Sequence, residues 1–183
     1  PKLTLILNKG GGVHQRVGEE VKRQLKENLN IDIELSYVEF EENMKLGKQG
    51  TSIFFRLAWI ADYPIPETFL SILFGRDVPK DMSKESWPNM SRYVNPKFDE
   101  LFEKGMRAKT VEERNKLFMQ AEQLAMDDAP IMILWYTENY RILQPYIRNF
   151  SFNPMDYRDF SEVWIDADEI NKQEKPETKK GNS

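Results

Sequence analysis

The chain has 183 residues, 40% of them hydrophobic and 12% aromatic, with 26 Lys and Arg against 30 Asp and Glu for a net charge of -4. This is enough apolar chain for one domain with a sizeable core, and the slight acidity disfavours nucleic acid as a partner. The absence of cysteine excludes disulfides, thiolate metal sites and thiol nucleophiles; no apolar run approaches membrane-spanning length, and the start carries no signal-peptide pattern.

Residues 3–7 are apolar and β-leaning and predict a strand. Gly10, Gly11 and Gly12 predict a turn. Val13, Val17, Val21, Leu25 and Leu29 then recur at i+4 with charges between them, the mark of an amphipathic helix with one buried stripe. Over residues 31–37, apolar and polar residues alternate, predicting a half-buried strand. Residues 40–48 predict a short helix closed by Gly47 or Gly50, and residues 53–59 a further strand. Strand, helix, strand, helix, strand with short connections implies parallel pairing through right-handed crossovers.

Pro64 and Pro66 stop that last strand: each removes a backbone donor, fixes φ and keeps the residue before it extended. A short apolar helix follows over residues 68–74, then a long turn-rich loop over residues 75–88 that contains Met82 and Trp87. Asn95 and Pro96 open a helix whose apolar face is Phe98, Leu101, Phe102 and Met106. Thr110 to Glu113 reads as a capping box, opening a helix to about residue 127 that buries Leu117, Phe118, Ala121, Leu124 and Ala125. Residues 130–137 predict a buried strand, residues 140–143 a second after a turn at Glu138 and Asn139, residues 145–159 irregular chain, and residues 163–165 a last short strand. Beyond residue 166 apolar content collapses, predicting a disordered tail over residues 167–183.

The richest chemistry lies at the end of the third strand. Trp59, Asp62 and Tyr63 bring an indole, a carboxylate and a phenol to a proline-stiffened loop, and ligands of open α/β sheets bind beyond the carboxyl ends of strands. A carboxylate beside aromatic faces suits a cationic ligand group, through charge-assisted hydrogen bonds and cation–π attraction. The residue types equally permit core aromatics and a turn-forming aspartate before proline. Elsewhere the pattern argues against chemistry. Glycines 10–12 lack the Lys and Ser or Thr of a phosphate loop, and His14 is a lone histidine without metal-ligand company. The adjacent acids Glu41 and Glu42, Glu112 and Glu113, and Asp127 and Asp128 read as solvated faces and caps, and the eight methionines as mainly core filler. No nucleophile-elbow or zincin motif occurs, so no catalytic residue, metal ligand or cofactor is assigned.

The run from Trp59 to Pro66 resembles the W-x-A-D-Y-P-x-P signature of the dipeptide/oligopeptide-binding proteins of ABC importers. Tyr93, Asn95, Pro96, Phe98, Asp99 and Leu101 resemble the family's Y-x-N-P-x-F-D-x-L segment. Glu113, Arg114, Leu117 and Phe118, then Ala121 and Glu122, then Asp127 to Pro130, resemble its later motifs in order. The resemblance implies an α/β, periplasmic-binding-protein-like lobe, a mainly parallel sheet flanked by helices over residues 1–166, one lobe of a two-lobe solute-binding protein. It further implies an extracytoplasmic location (periplasmic or lipid-anchored), short peptides as ligands, and permease subunits and an N-terminal lobe of the same parent chain as partners. The chain would then be the C-terminal part of a longer protein whose export signal lies upstream. In the family the motif aspartate, here Asp62, anchors the ligand's free α-amino group, and the motif tryptophan, here Trp59, lines a side-chain pocket. Arg56 occupies a position that in some members meets a ligand carboxylate. Phe40 aligns with a pocket-lining aromatic, often Trp, and Tyr136 with a tyrosine facing the cleft; Asn89 and Tyr93 fall in a segment bordering it. Ile65 departs from the family, where Asp or Glu is frequent. Relatives that bind metal chelates, haem, sugars or opines keep a non-peptide ligand open, as does a receptor lobe without transport.

Overall fold

The computed structural model describes residues 3–138, 140–153, 155 and 157–174. They divide into two compact units, Pro1–Met132 and Ile133–Ser183.

The first unit opens with β1 (Leu3–Asn8), α1 (Gly11–Leu29), β2 (Ile33–Val38) and α2 (Phe40–Gln49). β1 and β2 pair in parallel with Leu3 opposite Ile33 and Asn8 opposite Val38, so α1 is a crossover helix. Leu5, Leu7 and Ile33 are buried between the strands and α1, with Val21 and Leu25 packed against them. The expected helical stripe is less buried than its spacing implies: Val13 and Leu29 are exposed, and the only α1 residue fully inside is Gly18, which lets Leu7 and the Tyr37 hydroxyl approach. α1 ends on Asn30 in the left-handed conformation, one of the few side chains that tolerates it.

The strand expected over residues 53–59 is reduced to one parallel bridge between Ile6 and Phe55. Ile6 N–H donates to the Phe54 carbonyl and Arg56 N–H to the Ile6 carbonyl. The next rung would use the Arg56 carbonyl, but that oxygen accepts from the buried Asn43 side chain at 3.1 Å, whose amide also donates to Asn8 Oδ1 at 2.7 Å. Asn43 therefore caps the ladder where β1 ends. The expected parallel sheet thus comprises two strands and a bridge among the described residues.

After the bridge the chain runs without regular structure to α3 (Glu67–Leu70), a 3-10 turn over Ser71–Leu73, a second over Gly75–Asp77, and the predicted long loop. α4 (Pro96–Arg107) begins at Asn95, whose side chain accepts from Lys97 and Phe98 N–H, with Pro96 at its first position. α5 (Val111–Asp128) begins at Thr110, whose Oγ1 accepts from Glu113 N–H at 3.1 Å. These two helices and α3 enclose the larger core: Phe98, Phe102, Phe118, Ala121 and Ala125 with Leu70 and Leu73. Met106, expected on the α4 core face, is 54% exposed; Gly105 takes the inward position instead and admits the Phe118 ring.

The second unit holds β3 (Ile147–Arg148) and β4 (Trp164–Ile165), which pair antiparallel, and α6 (Ala167–Glu174). Arg148 donates to Asp166 across the end of this pair. Arg141 stacks over Phe150, which also packs against Phe152 and Phe160. Neither strand expected over residues 130–137 and 140–143 forms among the described residues, and Met132, Ile133, Leu134 and Trp135 remain exposed. The turn residue Asn139 lies outside the described residues. The expected tail from residue 167 is corrected as far as residue 174, which is helical; residues 175–183 lie outside the described residues.

The α4–α5 contact gives a direct test. A Cβ on Gly105 would sit 2.4 Å from Phe118 Cε1, and a buried ring in a close-packed core has little room to retreat. Gly105→Ala is expected to destabilise by about 1–3 kcal/mol through overpacking, despite the gain in helix propensity. A denaturation midpoint equal to or above that of the parent protein would refute this packing.

Candidate functional site

The proline-stiffened loop is fixed from below and open above. Ile65 and Leu70 insert into the aromatic core, so the position that departs from the family pattern serves as an apolar peg. Thr68 is buried, and its hydroxyl accepts from Asp62 N–H at 3.3 Å. The Asp62 backbone is tethered while its carboxylate, exposed to solvent, has no hydrogen-bond or ion-pair partner among the described residues. The next residue is occupied: the Tyr63 hydroxyl donates to Glu67. That bond, then burial and the nearby Glu67 and Asp62 charges, raise the Tyr63 pKa above its ordinary value.

Trp59 is half-buried. Its ring meets Trp87 at 5.7 Å with the planes tilted by 48°, and its indole N–H is buried without an acceptor among the described residues. Lys48 Nζ lies 4.7 Å from the Trp87 ring centre, within cation–π range.

Arg56 brings a second region into play. Its Nη1 is 3.1 Å from His14 Nδ1. Guanidinium has only donors, so Nδ1 accepts and the imidazole carries its proton on Nε2. Burial lowers the Arg56 pKa from its ordinary value, though a guanidinium remains charged at neutral pH. His14 and glycines 10–12 border a cavity of about 440 Å³ at the carboxyl ends of β1 and β2, with Lys9 and Tyr37 on its rim. Sequence reasoning set His14 aside because it looked for a metal partner; its partner is an arginine 42 residues away.

The remaining expected site residues divide. Phe40 is the exposed first residue of α2. Tyr136, in the second unit, is 78% exposed. Asn89 is fully buried: its amide donates to the Phe74 and Tyr93 carbonyls at 3.0 and 2.9 Å, and its Oδ1 accepts from Ser91. That amide is committed to the loop. Tyr93 packs edge-on against Phe98, and its hydroxyl donates to Asp128 at 2.6 Å, where Asn95 also donates. Asp128, read from sequence as solvated, joins the start of α4 to the end of α5. No group of His and acidic side chains arranged to hold a metal occurs among the described residues, and no helix there is long and apolar enough to cross a membrane.

Against known proteins, no family model matches the chain. It is 29% identical over 152 residues to the periplasmic murein peptide-binding protein MppA of Escherichia coli, covering 83% of this chain and 26% of that protein. It is 26% identical over 146 residues to the periplasmic oligopeptide-binding protein OppA of Salmonella typhimurium, covering 80% and 25%. Its homologues include periplasmic peptide-binding proteins over most of the chain. The fold agrees with that kinship: the unliganded open form of MppA superposes with a TM-score of 0.72 at 28% identity, over 90% of this chain and 30% of that one. The chain thus spans about a quarter of the length of the peptide-binding relatives it matches, and its fold is consistent with a lobe of a two-lobe binding protein.

The Tyr93–Asp128 bond sets a pH dependence. Burial, then the bond to Asp128, pushes the Tyr93 pKa up to about 12 from 10.0. A raised folded-state pKa means that the neutral phenol is favoured by folding. Its stabilisation is complete below pH 10.0 and is lost as pH rises through about 12. The same bond, then that from Asn95, lowers the Asp128 pKa, so that stabilisation is lost as pH falls below the ordinary carboxylate value. Tyr93→Phe is expected to raise the Asp128 pKa toward 3.8 and to remove the alkaline loss of stability. An NMR titration of the Asp128 carboxyl that does not move in the variant would contradict the bond.

Proposed function

We propose that this chain is a lobe of an extracytoplasmic solute-binding protein that binds short peptides between two lobes and presents them to the permease of an ABC importer. Residues 1–166 belong to that lobe, and the opposing N-terminal lobe and the permease subunits are its partners. The work is binding without covalent chemistry.

The observation that carries the reading is the Asp62 carboxylate. It is exposed and unpartnered among the described residues, while its own backbone N–H is tethered to the buried Thr68. A rigidly based, unsatisfied carboxylate gains most from a cationic donor once water is excluded, and the α-amino group of a peptide is such a donor. Trp59 stands at the far end of the same loop to receive a side chain, with Tyr63 and Phe40 as further aromatic surface. Arg56, with His14 against it, is suited to a ligand carboxylate through charge-assisted hydrogen bonds. The peptide backbone would bond to the cleft in a strand-like way that ignores sequence, and lobe closure would be a hinge motion biased by the ligand. The names of the relatives, which describe murein-peptide and oligopeptide binding in the periplasm, support both the ligand class and the location.

Calorimetric titration of the full-length protein with short peptides, free and N-acetylated, tests this. Free peptides are expected to bind and acetylated ones to fail. Asp62→Ala is expected to cost about 2–5 kcal/mol, the range for truncating one partner of a buried charge pair. If ligand-stripped, folded protein binds no peptide, the reading is wrong.

A further inference from the structure

We infer that Arg92 is a positioning residue for the Trp59 wall, acting through Trp87; the functional meaning rests on the peptide-binding reading above, whereas the mechanical link does not. Trp59 lacks a hydrogen bond that would set its ring: the indole N–H is buried with no acceptor among the described residues. The aromatic contact that restrains it is Trp87, at 5.7 Å. Trp87 lies in a loop without regular secondary structure and is itself 45% exposed, so its position depends on how that loop is held.

The loop is held at one carbonyl. The oxygen of Lys48, in the last turn of α2, accepts from Ser86 N–H at 2.8 Å and from Arg92 Nη2 at 3.0 Å. The same Arg92 nitrogen donates to the Lys84 carbonyl at 2.8 Å. Arg92 thereby joins the loop on one side of Trp87 to the helix beneath it. Ser86, fully buried, closes the other side by donating its hydroxyl to the Asn89 carbonyl at 2.6 Å. The fit is close at the helix end: Gly50 caps α2 with φ +67, and a Cβ there would lie 2.7 Å from Arg92 Nε. One guanidinium nitrogen, Nη2, carries two N–H groups and meets both carbonyls at once. Removing it frees the loop, and with it the ring that sets Trp59.

Two indoles in contact couple their transitions, so the pair should give an exciton couplet in the ultraviolet circular dichroism. That signal is the part of the spectrum lost in both Trp59→Phe and Trp87→Phe. Arg92→Met is expected to lose it with the helical signal intact, and Lys84→Ala, which keeps the carbonyl that Arg92 meets, to retain it. Should Arg92→Met fail to fold, the comparison is made on Arg92→Gln, which removes the guanidinium and shortens the reach toward the two carbonyls. A couplet that survives the loss of the guanidinium in folded protein overturns the inference.

Peptide titration of the full-length protein supplies the functional arm. Arg92→Met and Trp87→Ala should each weaken binding roughly two- to tenfold, in the range of one aromatic pair. Combined, they should be no worse than the stronger single change, because both act through one ring. Additive losses would overturn the proposed order of action. If the parent protein binds no peptide, the proposed function fails, while the couplet still decides whether Arg92 sets Trp59.

Discussion

One buried amide organises the end of the first unit where β1 stops. Asn43 joins the end of β1 to the chain leaving the bridge, by donating to the Asn8 side chain and to the Arg56 carbonyl. An amide so placed does three things at once. It satisfies a backbone acceptor that the ending ladder would leave bare, it ties α2 to the strand edge, and it releases the chain from β geometry at Arg56. Everything proposed as ligand-facing in this unit either follows that release point or lies beside it. The arrangement has a cost, because Asn43 Oδ1 is buried without a partner among the described residues, and a buried acceptor left unsatisfied is a desolvated polar group.

The second support is aromatic. Phe98, Phe102 and Phe118 form a run of ring contacts, from a near-parallel stack at 6.1 Å to a tilted contact at 5.9 Å. Phe74 adds to it from the segment after α3 and Tyr93 from the loop before α4. The rings are contributed by helices that follow the proline-stiffened loop in sequence but carry it in space. Ile65 reaches into this cluster from between the two prolines. The loop is thus stiff for two independent reasons: fixed φ angles in its backbone and an apolar side chain sunk beneath it.

Much of this was legible in the sequence. The i+4 spacing of α1, the alternation in β2, and the caps of α4 and α5 at Asn95 and Thr110 are local signals, and each element forms within a residue or two of its expected place. The loop from Trp59 to Pro66 was legible because prolines act on their own neighbours. What failed depended on distant partners. Residues 53–59 and 130–137 have strand composition, but a strand exists only where another edge accepts it, and the first finds one residue's worth of edge beside Ile6. Met106 and Gly105 show the same limit inside a helix, where spacing alone did not reveal that Phe118 needs the smaller residue. His14 and Arg56, Asp128 and Tyr93, and Trp87 and Trp59 are all pairings across long stretches of chain, and no local pattern announces them.

Residues 131–135 carry a consequence for the behaviour of the protein in solution. Ile131, Met132, Ile133, Leu134 and Trp135 are consecutive, uncharged and free of proline, and Met132, Ile133 and Leu134 are exposed and lie outside the strands of the described residues. Such a segment is a template for intermolecular β pairing. The gatekeepers nearest to it are Asp127 and Asp128 upstream and Glu138 downstream, and Pro130 breaks the pairing register at one end only. Self-association of this chain would therefore begin here, driven by backbone hydrogen bonds rather than by any surface that recognises a ligand.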